Sequence, residues 1–153
     1  MAPNQSFLML QQLAEQRRDS WTRKLGVALA QTQESRDRLQ LLVDYRNDYQ
    51  GRLERAARGG IAGEGLRNYQ AFLANLERAI EQQARTLADL QADVSRLRAE
   101  IANEQRQIES YLVLQRRRAR TETQREHRRQ QSQQDEFATN SVIRLTRRGG
   151  GDD

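Results

Sequence analysis

From Leu66 to Tyr111 the chain carries a stripe whose steps alternate strictly between three and four residues. Its members are Leu66, Tyr69, Leu73, Leu76, Ile80, Gln83, Leu87, Leu90, Val94, Leu97, Ile101, Glu104, Ile108 and Tyr111, and only Gln83 and Glu104 are polar. A repeat averaging 3.5 residues holds one stripe on one side of a helix and specifies a left-handed coiled coil. An earlier, rougher stripe runs Leu10, Ala14, Arg17, Trp21, Leu25, Ala28, Thr32, Ser35, Leu39, Leu42, Arg46, Tyr49 and Leu53. Its step from Trp21 to Leu25 breaks the alternation, as a short insertion would, and polar Thr32 and Ser35 predict a loose middle.

Between the stripes lies Arg58-Gly59-Gly60-Ile61-Ala62-Gly63-Glu64-Gly65. Glycine is costly inside a helix and readily takes positive φ, so this segment is a turn. The predicted architecture is all-α, a long antiparallel two-helix coiled-coil hairpin with a basic C-terminal extension. Its parts are a first long helix over 1–57, capped by Asn4 or Ser6, a glycine-rich turn over 58–65, a second long helix over 66–136 with an arginine-rich end, and a flexible tail over 137–153. At 1.5 Å per residue, a second helix of ~70 residues spans roughly 100 Å. Folding back at the turn makes the numbers of facing residues sum to about 122. Leu53 then meets Tyr69, Tyr49 meets Leu73, Leu42 meets Ile80, Leu25 meets Leu97, and Trp21 meets Ile101. This seam-to-seam match, with so short a connection, favours an intramolecular hairpin over a parallel homodimer.

Composition agrees with a rod rather than a globule. The chain has 153 residues, 36% hydrophobic and 31% charged, with one proline, Pro3, ahead of the helical pattern. A two-helix seam is satisfied by that apolar content where a globular core is not. The sequence has no apolar run long enough to span a membrane, and Met1 to Gln16 lacks a signal-peptide pattern. It contains no cysteine, hence no disulfide framework or thiolate metal site. The net charge is +5 and unevenly placed. Seven arginines (116, 117, 118, 120, 125, 128 and 129) stand against Glu122 and Glu126, while the remainder is near neutral. A localised basic patch implies an acidic protein surface, a nucleic acid or an anionic membrane as partner, unless it is simply a solvated helix face. No aromatic residue interleaves to stack on bases, and Thr, Gln and Ser occupy the face that a membrane-surface helix over 116–129 would need to be apolar.

Catalytic chemistry finds no foothold. His127 is the single histidine and sits among arginines, which excludes a histidine-based triad or a multi-histidine metal site. The glycines follow no strand and lack the Lys-Ser/Thr of a phosphate loop. No enzyme, cofactor, metal or small-molecule substrate is expected. The aromatic residues are more informative. Tyr49 and Tyr69 lie on the seam, whereas Tyr45 and Phe72 lie on its flank, beside Ala79. Flanking aromatics on a rigid seam either form a partner-binding patch or merely widen the seam.

The stretch Leu41-Leu42-Val43-Asp44-Tyr45-Arg46-Asn47-Asp48-Tyr49 resembles the end of the first helix of the flagellar FliJ family. Gly60-Ile61-Ala62 resembles its turn. Asn68-Tyr69-Gln70-Ala71-Phe72-Leu73, continuing through Leu76-Glu77-Arg78-Ala79-Ile80-Glu81-Gln82, resembles the start of its second helix. Length, hairpin plan and Asp135-Glu136-Phe137-Ala138 also fit, and the likeness is specific from about Leu41 to Gln82.

The resemblance implies a non-catalytic component of the bacterial flagellar type III export apparatus, with roles in flagellum biogenesis, protein transport, motility and chemotaxis. It implies a cytoplasmic location at the inner membrane, with membrane contact only through partners. Family members are similar to the central stalk of rotary ATPases. Their terminal half enters the hexameric export ATPase ring, their turn-proximal half reaches the cytoplasmic domain of the export gate, and they bind export chaperones and act as general chaperones. Carried over by position, the gate-facing residues are Leu42, Tyr45, Tyr49, Phe72, Leu76 and Ala79. At two further polar positions of that patch this chain has Arg38 and Gln83, which depart from the family pattern. The segment containing Arg116, Arg117, Arg118 and Arg120 would face the ATPase ring. The rival readings are a stalk of a related virulence secretion system, and a generic basic coiled-coil scaffold or nucleic-acid binder.

Overall fold

The structure, a computed structural model, describes residues 3–150. It consists of two helices packed against each other, α1 (Pro3–Arg58) and α2 (Glu64–Gly149). The chain divides into two compact units, one holding Ala14–Gln105 and the other formed by the chain on either side of it.

Residue by residue, the α2 stripe is the packed face. Every member from Leu66 to Tyr111 is buried or half-buried, and the polar pattern continues it at the same spacing to Gln115 and Arg118, both half-buried. On α1 the packed face differs from the apolar stripe at one end. Leu10 and Arg17 are exposed, while Phe7, Gln11 and Arg18 are half-buried. Through Phe7, Gln11, Ala14, Arg18, Trp21, Leu25 and Ala28 the alternation is strict, so the seam has no insertion at Trp21. The expected break arises from preferring apolar Leu10 over polar Gln11. A long Gln or Arg can lay its methylenes along a seam and keep its polar head at the edge, which satisfies the heptad without an apolar residue.

Cross-helix contacts keep the register expected from the sequence. Leu25 and Trp21 pack on the cluster of Ala28, Val94 and Leu97, the buried core of the 14–105 unit. Arg46 reaches Glu77 at 3.6 Å, and the Tyr49 ring lies 5.2 Å from Tyr69 and 4.3 Å from Phe72. Outside that unit, Gln115 donates to Gln11 at 3.1 Å.

The two polar members of the α2 stripe are each met from α1. Gln83 Nε2 donates to Ser35 Oγ at 2.8 Å and to the Ser35 carbonyl at 3.3 Å. Glu104 accepts from Arg17 Nε at 3.3 Å. Thr32 donates to the Ala28 carbonyl at 2.7 Å. The middle is therefore not loose: Thr32 and Ser35 are 5% and 4% exposed, and small hydroxyl side chains let the helices close over them once the hydroxyls have partners. Polar pairs within a seam also fix register, because any slip buries them unpaired.

The turn is built from backbone geometry. Gly60 N–H donates to the Ala57 carbonyl at 3.4 Å and Ile61 N–H to the Ala56 carbonyl at 3.0 Å, the paired bonds of a Schellman motif. That motif needs a left-handed residue after the helix end, and Gly60 supplies it with φ 93°. Gly63, at φ 75°, accepts from Arg67 N–H at 3.2 Å and so begins α2. Glu64 in the first turn of α2, and Arg55 and Arg58 in the last turn of α1, complement the helix dipoles.

At the far end α2 outruns the sequence expectation. It continues to Gly149 through the stretch assigned to a flexible tail, of which 151–153 lie outside the described residues. The ending Arg-Arg-Gly-Gly-Gly-Asp-Asp is why the stretch reads as a tail, and Thr139, Ser141 and Thr146 within it are weak helix formers. In the helix each donates its hydroxyl to the carbonyl four residues back, and no proline intervenes before the glycines at 149–151.

Candidate functional site

Two surfaces carry the residues singled out from the sequence. The first lies in the 14–105 unit, near the turn. Tyr49 projects into the seam and is half-buried, with its ring tilted against Tyr69 and Phe72 at interplanar angles of 47° and 40°. Such offset, tilted pairs are the favoured aromatic geometry. Phe72 thereby has one face held while it stays 41% exposed. Tyr45, one helical turn before Tyr49 on α1, is 58% exposed, and Leu41, a further turn back, is 60% exposed. Leu42, Leu76 and Ala79 are half-buried. Thus Leu42, Tyr49 and Leu76 belong to the seam, while Tyr45 and Phe72 stand on its flank with apolar surface open to a partner. Leu41 is a member of this surface that the heptad stripe does not include. Its apolarity at an off-stripe position is the signal that marks it.

The surface consists of side chains whose backbone is fixed by a regular helix pair, with the Phe72 ring braced against Tyr49. The side chains that make it up are apolar or aromatic. What it can do chemically is exchange water for a complementary apolar face, with the Tyr45 hydroxyl as a hydrogen-bonding edge. Of the two further positions, Arg38 is exposed and pairs with Glu34 one turn back on its own helix at 2.8 Å, while Gln83 donates to Ser35 across the seam.

The second surface is the arginine segment in the other unit. Arg116, Arg117 and Arg120 are exposed. Arg118 is not equivalent to them. Its guanidinium lies over the Phe7 ring at 4.8 Å, and its Nη1 is buried without a hydrogen-bond partner among the described residues. Arg118 therefore closes the seam through a cation–π contact. Beyond it, every residue from 119 to 140 is exposed, His127 included. The depressions along this stretch are open grooves between side chains of a single helix, lined by residues such as Arg128, Ser132 and Asp135. Among the described residues no group of three or more His, Cys, Asp or Glu could hold a metal, and no helix is long and apolar enough to cross a membrane.

Comparison with known proteins bears on the whole chain. The family model described as flagellar FliJ protein matches residues 3–147. The flagellar FliJ protein of Salmonella typhi is 31% identical over 144 residues, covering 94% of this chain and 98% of that protein. The flagellar FliJ protein of Escherichia coli K12 is 28% identical over the same length and coverage. No solved structure matches. Two long helices joined by a glycine turn, with an aromatic shelf beside it, are thus found in a chain that matches one family from end to end, and the chain belongs to the flagellar FliJ protein family.

Proposed function

We propose that this chain is a non-catalytic connector of flagellar protein export, a stalk joining the export ATPase ring to the membrane export gate and receiving export chaperones. Family membership supports the coarser statement, a component of flagellum biogenesis and protein export. The observation that carries the finer one is the braced aromatic shelf: Tyr45 and Phe72 are exposed while Tyr49 and Tyr69 hold the helices beneath them. A connector needs a stiff body with contact surfaces that do not collapse when unbound, and a paired, hydrogen-bonded seam provides that stiffness.

In this reading Leu42, Tyr45, Tyr49, Phe72, Leu76 and Ala79 form the gate-facing surface, with Tyr45 and Phe72 making the contact and the others shaping it. Arg116, Arg117 and Arg120 face the acidic lining of the ring, and Arg118 serves the hairpin itself. The chain works at the cytoplasmic face of the inner membrane.

Two experiments test the two ends. ATP hydrolysis by the cognate export ATPase should rise when the protein is added and fall back with a truncation ending at Leu114. Absence of stimulation, where the ATPase assembles poorly alone, sinks the stalk reading. Tyr45→Ala with Phe72→Ala should leave helicity nearly unchanged while binding to the soluble gate domain weakens at least tenfold, as hot-spot aromatics do at about 2 kcal/mol or more for the pair. A matching loss of helicity would instead place both residues in the core.

A further inference from the structure

At each four-residue step of the seam, three residues stand between one inward position and the next. At about 100° apiece they cover the flank, back and other flank of their helix. Along the seam these triplets hold at least one Gln, Glu, Asp, Arg or Lys, with two exceptions. Leu8-Met9-Leu10 stands between seam residues Phe7 and Gln11, and Leu112-Val113-Leu114 between Tyr111 and Gln115. Both exceptions lie in the unit that flanks 14–105, at one level of the hairpin: Gln115 donates to Gln11 at 3.1 Å, and Arg118 covers Phe7. Leu8, Met9 and Leu10 are 49%, 55% and 42% exposed, and Leu13, Val113 and Leu114 are exposed as well. No charged side chain occurs before Glu15 on α1 or between Glu109 and Arg116 on α2. The helix pair therefore wears an uncharged apolar collar, about 9 Å tall from Leu8 to Leu13 at 1.5 Å per residue.

We propose that this collar seats the hairpin inside an encircling partner whose lining is apolar at the same level; the inference rests on the stalk reading, which makes that partner the ATPase ring. The distribution of apolar surface around the pair decides the kind of partner. A flat protein face, a second hairpin lying alongside or a bilayer surface meets one flank and leaves the opposite triplet in water. End-on entry into a bilayer is opposed by α2, which continues past the collar to Gly149 with every residue from 119 to 140 exposed. A closed channel removes both triplets from water at once, and contiguous exposed apolar surface is what marks a binding face. The collar also has a task separate from that of the arginines. Arg116, Arg117 and Arg120 begin where the collar ends, and their attraction to an acidic surface is screened by salt. The collar holds by excluding water, which salt does not screen.

The chain contains no cysteine, so Met9→Cys and Val113→Cys each introduce one thiol, at the middle of each triplet and on opposite sides of the pair. Maleimide should label the full-length protein rapidly at both sites when it is alone. With the assembled cognate export ATPase at about ten times its Kd, both sites should label roughly tenfold more slowly, in proportion to the free fraction. Ala74→Cys, exposed and near the turn, should keep its rate. Leu8→Gln, Met9→Gln and Leu10→Gln together, and separately Val113→Gln with Leu114→Gln, should each weaken cosedimentation with the ATPase by about tenfold or more at unchanged helicity. Protection of one thiol alone means a partner lying on one side. Protection of neither, or full binding by either glutamine variant, means that the ring holds another part of the chain. Each of these results overturns the collar and leaves the stalk reading standing, provided that the wild-type protein still binds the ATPase. Failure of the wild-type protein to bind overturns both. Slow labelling of both sites without ATPase, at a hydrodynamic mass above the monomer, assigns the collar to a second copy and also overturns the proposal.

Discussion

The segment over 66–111 and the segment over 119–149 are two parts of one helix. In the first, every position of the heptad stripe is at least half-buried, and both polar members find partners on α1. In the second almost every residue is exposed, and no segment among those described covers it. The difference teaches what a heptad stripe is for. Where the stripe persists, even with Gln, Glu or Arg in it, a second helix packs on it. Where it lapses after Arg118, the helix continues on local hydrogen bonds alone. Polar residues on the seam therefore belong to the packing, whereas apolar residues off the seam, such as Phe72 or Leu145, stay exposed.

The largest expected contrast is between two leucines. Leu97 is 4% exposed within the core cluster, and Leu97→Ala should cost about 2–5 kcal/mol, seen as a lowered thermal midpoint by circular dichroism. Leu145→Ala should stay within about 0.5 kcal/mol. Equal effects would mean that 137–149 is packed in solution and would break the comparison.

Backbone chemistry sharpens it at a smaller scale. Gly60→Ala places a side chain at φ 93°, and roughly 1–2 kcal/mol of destabilisation is expected at the Schellman turn. Gly26→Ala, in mid-helix where an added methyl meets nothing within 4 Å, should instead stabilise by about 0.5–1 kcal/mol. Opposite signs in urea denaturation are the check.

The smallest contrast separates two neighbouring arginines. Arg118→Ala removes the cation–π cover of Phe7 and should cost about 0.5–1 kcal/mol, while Arg117→Ala, exposed and without such a contact, should change stability negligibly. In ATPase stimulation the order should reverse, with Arg117 mattering more.

Much of the fold is legible in the sequence. Alternating steps of three and four define one packed face, a glycine cluster between two such runs defines the return, and two seams of matched phase define the register. The aromatic shelf is legible in part, because Tyr45 and Phe72 are large apolar residues at positions the seam does not use. Three features are not. The packed face at the start of α1 passes through Gln11 and Arg18, which hydrophobic pattern reading discards, and Arg118 resembles its exposed neighbours in every respect except heptad position. The helix over 137–149 is written in residues of weak helical propensity.

What the sequence determined by itself was periodicity, and with it the helices, their pairing and the place of the turn, because those depend on spacing along one chain. What only the tertiary structure decided was the fate of each polar side chain: Gln83 held by Ser35, Glu104 by Arg17, Arg118 laid over Phe7. A Gln, Glu or Arg is costly to bury alone and harmless to bury with a partner. For the hydrogen bonds that cross the seam, that partner stands on the other helix, 48 to 104 residues away along the chain.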